Sequence, residues 1–208
     1  MSGFLFLGNQ LALDFLNTRP IPAAGPVELL PDFAALLRWF QAAGLLDARR
    51  AASLERDWSG SPGAERVVEA ARQLRERLRQ DVLHWEAGRG VRRSTIAELN
   101  QLMADHPLGA KLTTELRLES AFEPQKPDDL FAPLAHAAAT LFATADRARV
   151  RKCEHCILHF LDTSKKGTRR WCSMQLCGNR LKVAAYAARQ REQKARYYIK
   201  RSGARTPA

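Results

Sequence analysis

The sequence lacks the features that mark several protein classes. No stretch approaches the roughly 20 consecutive apolar residues that a membrane-spanning helix needs, so we expect no membrane partner. It contains no glycine loop of the phosphate-binding type, no G-x-S-x-G and no H-E-x-x-H, and its 5 histidines show no ligand spacing. We therefore expect a protein that binds other molecules and is not an enzyme.

Acidic residues are scarce in the last third of the chain. Residues 146–208 contain 17 Lys and Arg against 4 Asp and Glu, a net charge of +13, whereas residues 1–145 contain 16 against 18. A nearly neutral body with a strongly basic end predicts a polyanionic partner, with nucleic acid ahead of an anionic membrane. A merely solvated basic face is the alternative, and so few acids make it the weaker interpretation.

Cysteine is also rare, and all 4 cysteines lie within residues 153–177 as C-x2-C, fifteen residues, then C-x4-C. We expect a cytoplasmic protein, associated with the nucleoid, and in a reducing compartment clustered cysteines favour a metal over disulfides. Four thiolates close a tetrahedron around Zn²⁺ and leave no open position for chemistry. The spacing predicts one structural zinc ion, with His155 or His159 as alternative ligands, held by Cys153, Cys156, Cys172 and Cys177.

Apolar residues at helical spacing predict a helical domain over residues 1–147. Asp32 is the expected N-cap of its first long helix, and Glu98 is placed to complete a capping box with Ser94 or Thr95. Residues 111–122 alternate with a period of two, which indicates a strand or a hairpin arm. The predicted class is mainly α with a small β element, with helices at 31–46, 63–88, from 94 or 95 to 103, and ending near 145.

The cysteine segment predicts a second unit at residues 148–198, followed by a disordered tail at 199–208. A cysteine knuckle, a short hairpin and a helix carrying the last ligands follow one another in the order of a treble-clef zinc finger. Ser173 is the expected N-cap of that helix, which places Cys177 in its first turns. The helix continues as a run of basic residues.

Two stretches resemble known families. "FLDTSKKGTRRWCSMQLCGNRLK" resembles the CGNR-type zinc finger, named for the tetrapeptide that stands here at residues 177–180. "LGNQLALDFLNT" resembles the opening of the ABATE domain, which usually precedes this finger in bacterial proteins. The resemblance implies a stress-related transcription regulator with a helical N-terminal domain.

The basic residues of the finger are the predicted nucleic-acid contacts, because phosphates attract cations and base edges accept hydrogen bonds. DNA is favoured over RNA because a helix on a zinc module suits the major groove, and an RNA- or ribosome-associated role is the alternative. Asn179 could instead bond within its helix turn, and Arg180 could bridge to Asp162. The predicted contacts are Lys165, Lys166, Arg169, Arg170, Asn179, Arg180, Lys182, Arg189, Arg191, Lys194 and Arg196.

The motif "LDFLNT" places three polar side chains, Asp14, Asn17 and Thr18, in an apolar segment. One interpretation is local: these groups cap a turn and accept backbone N–H groups. The other is a pocket for an unidentified effector in a domain that senses a ligand or forms a homodimer. A site that modifies nucleic acid around Asp14 and Asn17 is a further alternative.

Overall fold

The computed structural model describes residues 3–20, 25–156, 158–179, 183, 186, 187 and 189–194. The fold is mainly α with two small antiparallel sheets, which confirms the predicted class. None of the described helices is both long and apolar enough to cross a membrane. The helices are α1 Leu11–Leu16, α2 Phe33–Ala42, α3 Ala48–Trp58, α4 Pro62–Glu86, α5 Arg93–Asp105 and α6 Phe131–Thr144, and the strands are β1 Gly109–Leu112, β2 Leu118–Ala121, β3 Val150–Lys152 and β4 His159–Leu161.

Local signals set several helix ends as expected. Asp32 accepts a hydrogen bond from the Ala35 N–H at 2.7 Å and starts α2, which confirms the predicted N-cap. Gly44, with a φ of +73°, turns the chain after α2. Helix α3 was not predicted, because it buries only Ala51 and Leu54 and its apolar stripe is too thin to recognise.

The predicted capping box of α5 is wrong. The helix starts at Arg93 and has no side-chain cap. Glu98 forms an ion pair with Arg77 at 2.5 Å, and the Thr95 hydroxyl donates to the buried carboxylate of Asp81 at 2.6 Å. Both side chains thus bond to α4, where charged or buried partners are available, instead of the backbone of their own helix.

Residues 109–121 form a hairpin, so the prediction of one strand or one hairpin arm over residues 111–122 is wrong in extent: that stretch contains the end of β1, the turn and all of β2. Strands β1 and β2 pair directly, with Leu112 opposite Leu118. The turn contains Leu116 in the left-handed region, with a φ of +57°.

Two apolar cores lie side by side, and the N-terminal segment packs against both. The main core is built from the helices and includes Val150 of β3. A second, smaller core contains three of the cysteines together with Leu158 and Phe160. Leu5 and Leu7 pack on the small core, whereas Phe6 stacks on Trp39 of the main core with ring centroids 6.1 Å apart. Successive side chains of "FLFL" therefore pack alternately on the two cores and link them.

The predicted division between residues 147 and 148 lies within a short 3-10 turn, Arg147–Arg149, that connects α6 to β3. At the carboxyl end, Met174–Gly178 forms a π-helical turn, and the described residues after it (179, 183, 186, 187 and 189–194) are helical. This agrees with the predicted basic helix. The predicted tail at 199–208 lies outside the described residues.

Candidate metal centre and nucleic-acid interface

The four cysteine sulfurs converge on one point. All lie within 4.8 Å of one another, and the Cys172 Sγ is 3.4 Å from that of Cys156 and 3.6 Å from that of Cys177. These separations exclude a disulfide, whose sulfurs are about 2.05 Å apart. They match the edges of about 3.8 Å of a tetrahedron with Zn–S bonds of about 2.3 Å. The four side chains therefore form a site for one structural zinc ion.

The electrostatics of the cluster explain why it requires a cation. A hydrogen bond from Cys172 lowers the pKa of Cys156 to about 5. Its bond to Cys156, together with burial, raises the pKa of Cys172 far above its ordinary value, and burial raises that of Cys177 to about 12. Of these three thiols, the protein alone favours ionisation only of Cys156, and a bound divalent cation would supply the charge that favours thiolates at the other two.

The histidine alternatives are not part of this cluster. His155 is exposed, and neither it nor His159 belongs to the group of converging ligand atoms. His159 is 2% exposed, and its Nε2 lies 3.8 Å from the Glu86 carboxylate of α4. The all-cysteine ligand set is therefore the one that the geometry supports.

Local structure positions each pair of cysteines. The Cys153 N–H donates to the Leu158 carbonyl at 2.8 Å and closes the knuckle between β3 and β4. Ser173 accepts hydrogen bonds from the N–H groups of Gln175 and Leu176, which confirms it as the predicted N-cap. The helical turn that it starts contains Cys177. Two short local motifs thus present two ligands each, and the hairpin brings them together.

The loop after β4 is held in place by hydrogen bonds to other residues of the zinc finger. The buried Asp162 carboxylate accepts the N–H groups of Ser164 at 2.9 Å and Arg169 at 2.8 Å. Burial opposes its ionisation, but these bonds prevail and lower its pKa to about 2. Arg149 donates to the carbonyls of Asp162 and Ser164, and Arg151 donates to that of Gly167. The backbone that carries Lys165 and Lys166 is therefore fixed.

The predicted nucleic-acid contacts divide into distinct environments. Lys165, Lys166 and Asn179 are exposed, as are Arg189, Arg191 and Lys194. In the described part of the chain, these five basic side chains form no ion pair. Their role in binding stays a prediction, and Arg180, Lys182 and Arg196 lie outside the described residues.

Two predicted contacts, Arg169 and Arg170, have partners within the finger. Arg169 donates to the carbonyls of Trp171 and Cys172, and its guanidinium lies 4.8 Å above the Phe160 ring. Arg170 forms a two-bond ion pair with Glu154 of the knuckle. Arg169 thus braces the metal centre, a role that no local sequence signal indicated. Arg170 stays largely exposed and remains available to a phosphate.

The polar residues of "LDFLNT" make protein contacts. Asn17 is hydrogen-bonded to the backbone of His159, Asp14 accepts the Gly8 N–H at 2.7 Å, and Thr18 accepts from Arg75 at 2.9 Å. All three are buried, and burial raises the pKa of Asp14 to about 6. The Asp14 bond fits the local interpretation, as does a further bond from the Thr18 hydroxyl to the backbone of α1. For Asn17 the local interpretation is wrong, because its amide binds the zinc finger, 142 residues away. A ligand pocket at these residues stays a prediction.

The segment preceding α1 continues the same contact. The Leu161 N–H donates to the Gly8 carbonyl at 2.8 Å, and the Asn9 amide donates to the Leu161 carbonyl at 2.9 Å. Residues 8, 9 and 17 are therefore hydrogen-bonded along strand β4 of the finger. This docking was not predicted, and the alternation in "FLFLG" is the one sequence feature that indicates it.

A surface cavity of about 500 Å³ lies beside Arg75, the residue that donates a hydrogen bond to Thr18. Arg75 lines it together with Arg19, Glu28, Arg72 and Glu76. Arg75 is itself buried and paired with Glu28 at 2.5 Å. One arginine thus connects a charged cavity to the end of α1.

Two family comparisons match the chain. Residues 9–145 match the ABATE family, described as "putative stress-induced transcription regulator". Residues 149–190 match the CGNR zinc finger. Both resemblances expected from the sequence are confirmed. A comparison with curated proteins gives no match.

Proposed function

The chain belongs to the ABATE family and carries a CGNR zinc finger, and from this premise we propose that it is a transcription regulator that binds DNA through the finger. We propose further that the zinc ion is a scaffold and that the protein catalyses no reaction. The four thiols that could serve as nucleophiles are all zinc ligands, which supports binding over catalysis. The proposed location is the nucleoid of the cytoplasm.

The observation that carries this proposal is the placement of exposed cations after the last zinc ligand. Arg189, Arg191 and Lys194 are helical and exposed, and Glu192 is the one acid among residues 189–194. A nearly neutral N-terminal domain accompanies them. A basic helix anchored by a metal is suited to phosphate contacts along a groove of duplex DNA.

The loop with Lys165 and Lys166 supplies a second set of cations. Because Arg149, Arg151 and Asp162 fix its backbone, it loses little conformational freedom when it binds. Preorganised cations hold a protein in one orientation on the duplex, and base contacts then select the sequence. Asn179, exposed at the start of the basic helix, has the amide chemistry to read adenine.

The test is the salt dependence of duplex binding by the full-length, zinc-loaded protein. Log affinity should fall linearly with log salt concentration, with a slope of about −0.9 for each phosphate contacted. Reversing the charge of Arg189, Arg191 and Lys194 together should flatten that slope. Unchanged affinity would show that the helix does not bind DNA.

A matched control separates this effect from general charge. Arg38, Arg49 and Arg66 are exposed arginines of the N-terminal domain, and their reversal to glutamate changes the net charge by the same amount. This triple variant should keep the wild-type slope. Competition with structured RNA tests the alternative: stronger binding to RNA than to duplex DNA at the same salt would replace DNA with RNA as the partner.

We also propose a sensory role for the N-terminal domain, with the charged cavity beside Arg75 as the effector site. Arg75 donates to Thr18, which adjoins the residue that holds the finger, so a ligand that moves Arg75 acts close to the docking contact. Small carboxylates and phosphates are suitable probes, because the four arginines that line the cavity outnumber its three glutamates by one positive charge. A rise in melting temperature with one of them, lost in Arg72→Ala, supports the site; shifts equal in both proteins refute it.

A further inference from the structure

The basic helix carries a stripe of uncharged side chains beside its cations. Its members are helical and exposed, and they follow one another at intervals of three or four residues: Val183, Tyr186, Gln190 and Gln193. Such intervals place side chains on one face of a helix. Val183 and Tyr186 are 67% and 59% exposed, so the described part of the chain leaves most of their apolar surface uncovered. We call these four residues the uncharged stripe.

The charged residues of the same helix lie off this stripe. At about 100° per residue, Arg189 lies about 80° to one side of its centre, and Lys194 and Arg191 lie about 60° and 120° to the other side. Glu192 lies near the opposite face, about 140° from the centre. Cations thus border the stripe on both sides, and the one acid among residues 189–194 lies away from it.

This arrangement fits a groove of duplex DNA. Cations on both borders are suited to the two phosphate backbones that line a groove, and the uncharged centre then meets the edges of the bases. The major groove, about 12 Å wide, admits an α-helix. From Val183 to Gln193 the stripe is about 15 Å long, which corresponds to about four base pairs. A second copy of the helix is an unfavourable occupant, because like charges would meet along both borders.

The chemistry of the stripe favours A·T pairs. The amides of Gln190 and Gln193 are able to donate to N7 of adenine and accept from its N6 amino group. Val183 and the ring of Tyr186 are suited to apolar contact with the C5-methyl group of thymine. The stripe contains no Arg or Lys, the usual partners of guanine, and no Asp or Glu, which accept from cytosine.

We propose that the uncharged stripe is the base-reading face of the basic helix and that it selects A·T pairs in the major groove. This proposal rests on the proposed binding of DNA and adds the class of sequence that is bound. The bordering cations contribute affinity for any duplex, and the stripe contributes the difference between duplexes. Salt dependence and sequence preference therefore depend on different residues, and either is lost without the other.

Three duplexes of equal length test the proposal with the full-length, zinc-loaded protein at one salt concentration. They contain only A·T pairs, only G·C pairs, or only pairs of inosine with cytosine. Inosine lacks the amino group of guanine, so its pairs resemble A·T in the minor groove and G·C in the major groove. The A·T duplex should bind about tenfold or more tightly than each of the others, because an amide that contacts adenine discriminates against the wrong base.

Substitutions in the stripe should remove the preference and leave duplex binding in place. Gln190→Ala combined with Gln193→Ala should reduce the preference for A·T to less than about threefold, while log affinity keeps its wild-type slope against log salt concentration. Alanine is the best helix former, so the double change preserves the helix. The control combines Gln41→Ala with Gln101→Ala, at exposed glutamines of α2 and α5, and should keep the full preference.

The possible results separate this proposal from that of DNA binding. Equal affinities for the three duplexes, with an intact salt slope, overturn the base-reading role, leave DNA binding in place and assign the stripe to a protein partner. An inosine duplex that binds as tightly as the A·T duplex also overturns it, because the preference then comes from the minor groove. A preference that the stripe variant retains does the same. Absence of binding to every duplex overturns both proposals.

Discussion

The side-chain amide of Asn17 binds the backbone of His159 in both directions. Its Nδ2 donates to the His159 carbonyl and its Oδ1 accepts the His159 N–H, each at 2.9 Å. The amide thus acts as one residue of an additional strand beside β4. Both groups are buried, so water cannot replace either bond. This contact holds the zinc finger against the helical domain.

Replacing Asn17 by alanine should lower the free energy of unfolding by about 2–3 kcal/mol, because it leaves a buried donor and a buried acceptor without partners. Urea unfolding of the zinc-loaded protein measures the change. Asn9→Gly is the control: glycine keeps the left-handed backbone of Asn9, whose φ is +55°, so the change removes mainly the exposed bond to the Leu161 carbonyl and should cost less than about 1 kcal/mol. Equal effects of the two changes would contradict the role of Asn17.

The pair formed by Glu86 and His159 predicts how stability depends on pH. Burial raises the pKa of Glu86 from 4.5 to about 7, and burial with nearby Arg79 and Lys152 lowers that of His159 from 6.5 to about 3. The contribution of Glu86 is complete below pH 4.5 and lost as pH rises through 7. That of His159 is complete above pH 6.5 and lost as pH falls towards 3. Above pH 6.5, of these two residues only Glu86 therefore makes the free energy of unfolding depend on pH.

Glu86→Gln should consequently stabilise the protein more at pH 8 than at pH 6, and should have little effect only near pH 4.5, because the contribution of Glu86 is lost progressively between these values. The expected gain is about 1–2 kcal/mol, since one unit of pKa corresponds to about 1.4 kcal/mol and partial exposure reduces the full effect. Urea unfolding between pH 6 and 8, where zinc ligands stay ionised, measures it. Asp14, whose pKa is also raised, should leave a smaller residual slope near pH 6. A gain that does not change with pH would refute the buried charge as its cause.

Purified protein should contain about one zinc ion per chain, and Cys172→Ser should remove it. Without zinc the small core loses its centre, so we expect the finger's amide resonances to collapse while the helices of the main core persist. Metal analysis and NMR spectra of the two proteins test this. His155→Ala should keep the full zinc content, because its side chain is exposed outside the cluster. A metal-free, well-folded finger would contradict the assignment.

Arg169 and Arg170 are adjacent in sequence but should differ in their effect on zinc. Arg169→Ala removes two bonds to the backbone around Cys172, and loss of such supporting contacts lowers metal affinity by about 10–100-fold. Arg170→Ala removes an exposed ion pair and the contact of its guanidinium with the Trp171 ring at 5.6 Å, but no bond to the backbone around the cysteines, and should change affinity by less than about fivefold. Competition with a chromogenic chelator compares the two. Equal zinc affinities would show that Arg169 does not brace the centre.

Interactions between residues close in sequence were predictable. The cysteine spacing predicted the zinc ligands, and Asp32 and Ser173 predicted two helix starts, because a cap or a knuckle involves residues a few positions apart. The same reasoning failed at Glu98, where Arg77 of another helix offered a charged partner. A local pattern shows which hydrogen bonds a side chain is able to form. It does not show whether a residue from another element lies close enough to bind that side chain instead.

The sequence by itself determined a helical domain, a four-cysteine zinc finger and a basic carboxyl end, because periodicity, spacing and charge are local or additive properties. Only the tertiary structure decided that Asn17 holds a strand 142 residues away, that Arg169 points inward and that Leu118 stays exposed. Each of these depends on which surfaces meet when the chain folds. Such tertiary contacts depend on how the whole chain packs, so they cannot be predicted from any short segment of the sequence.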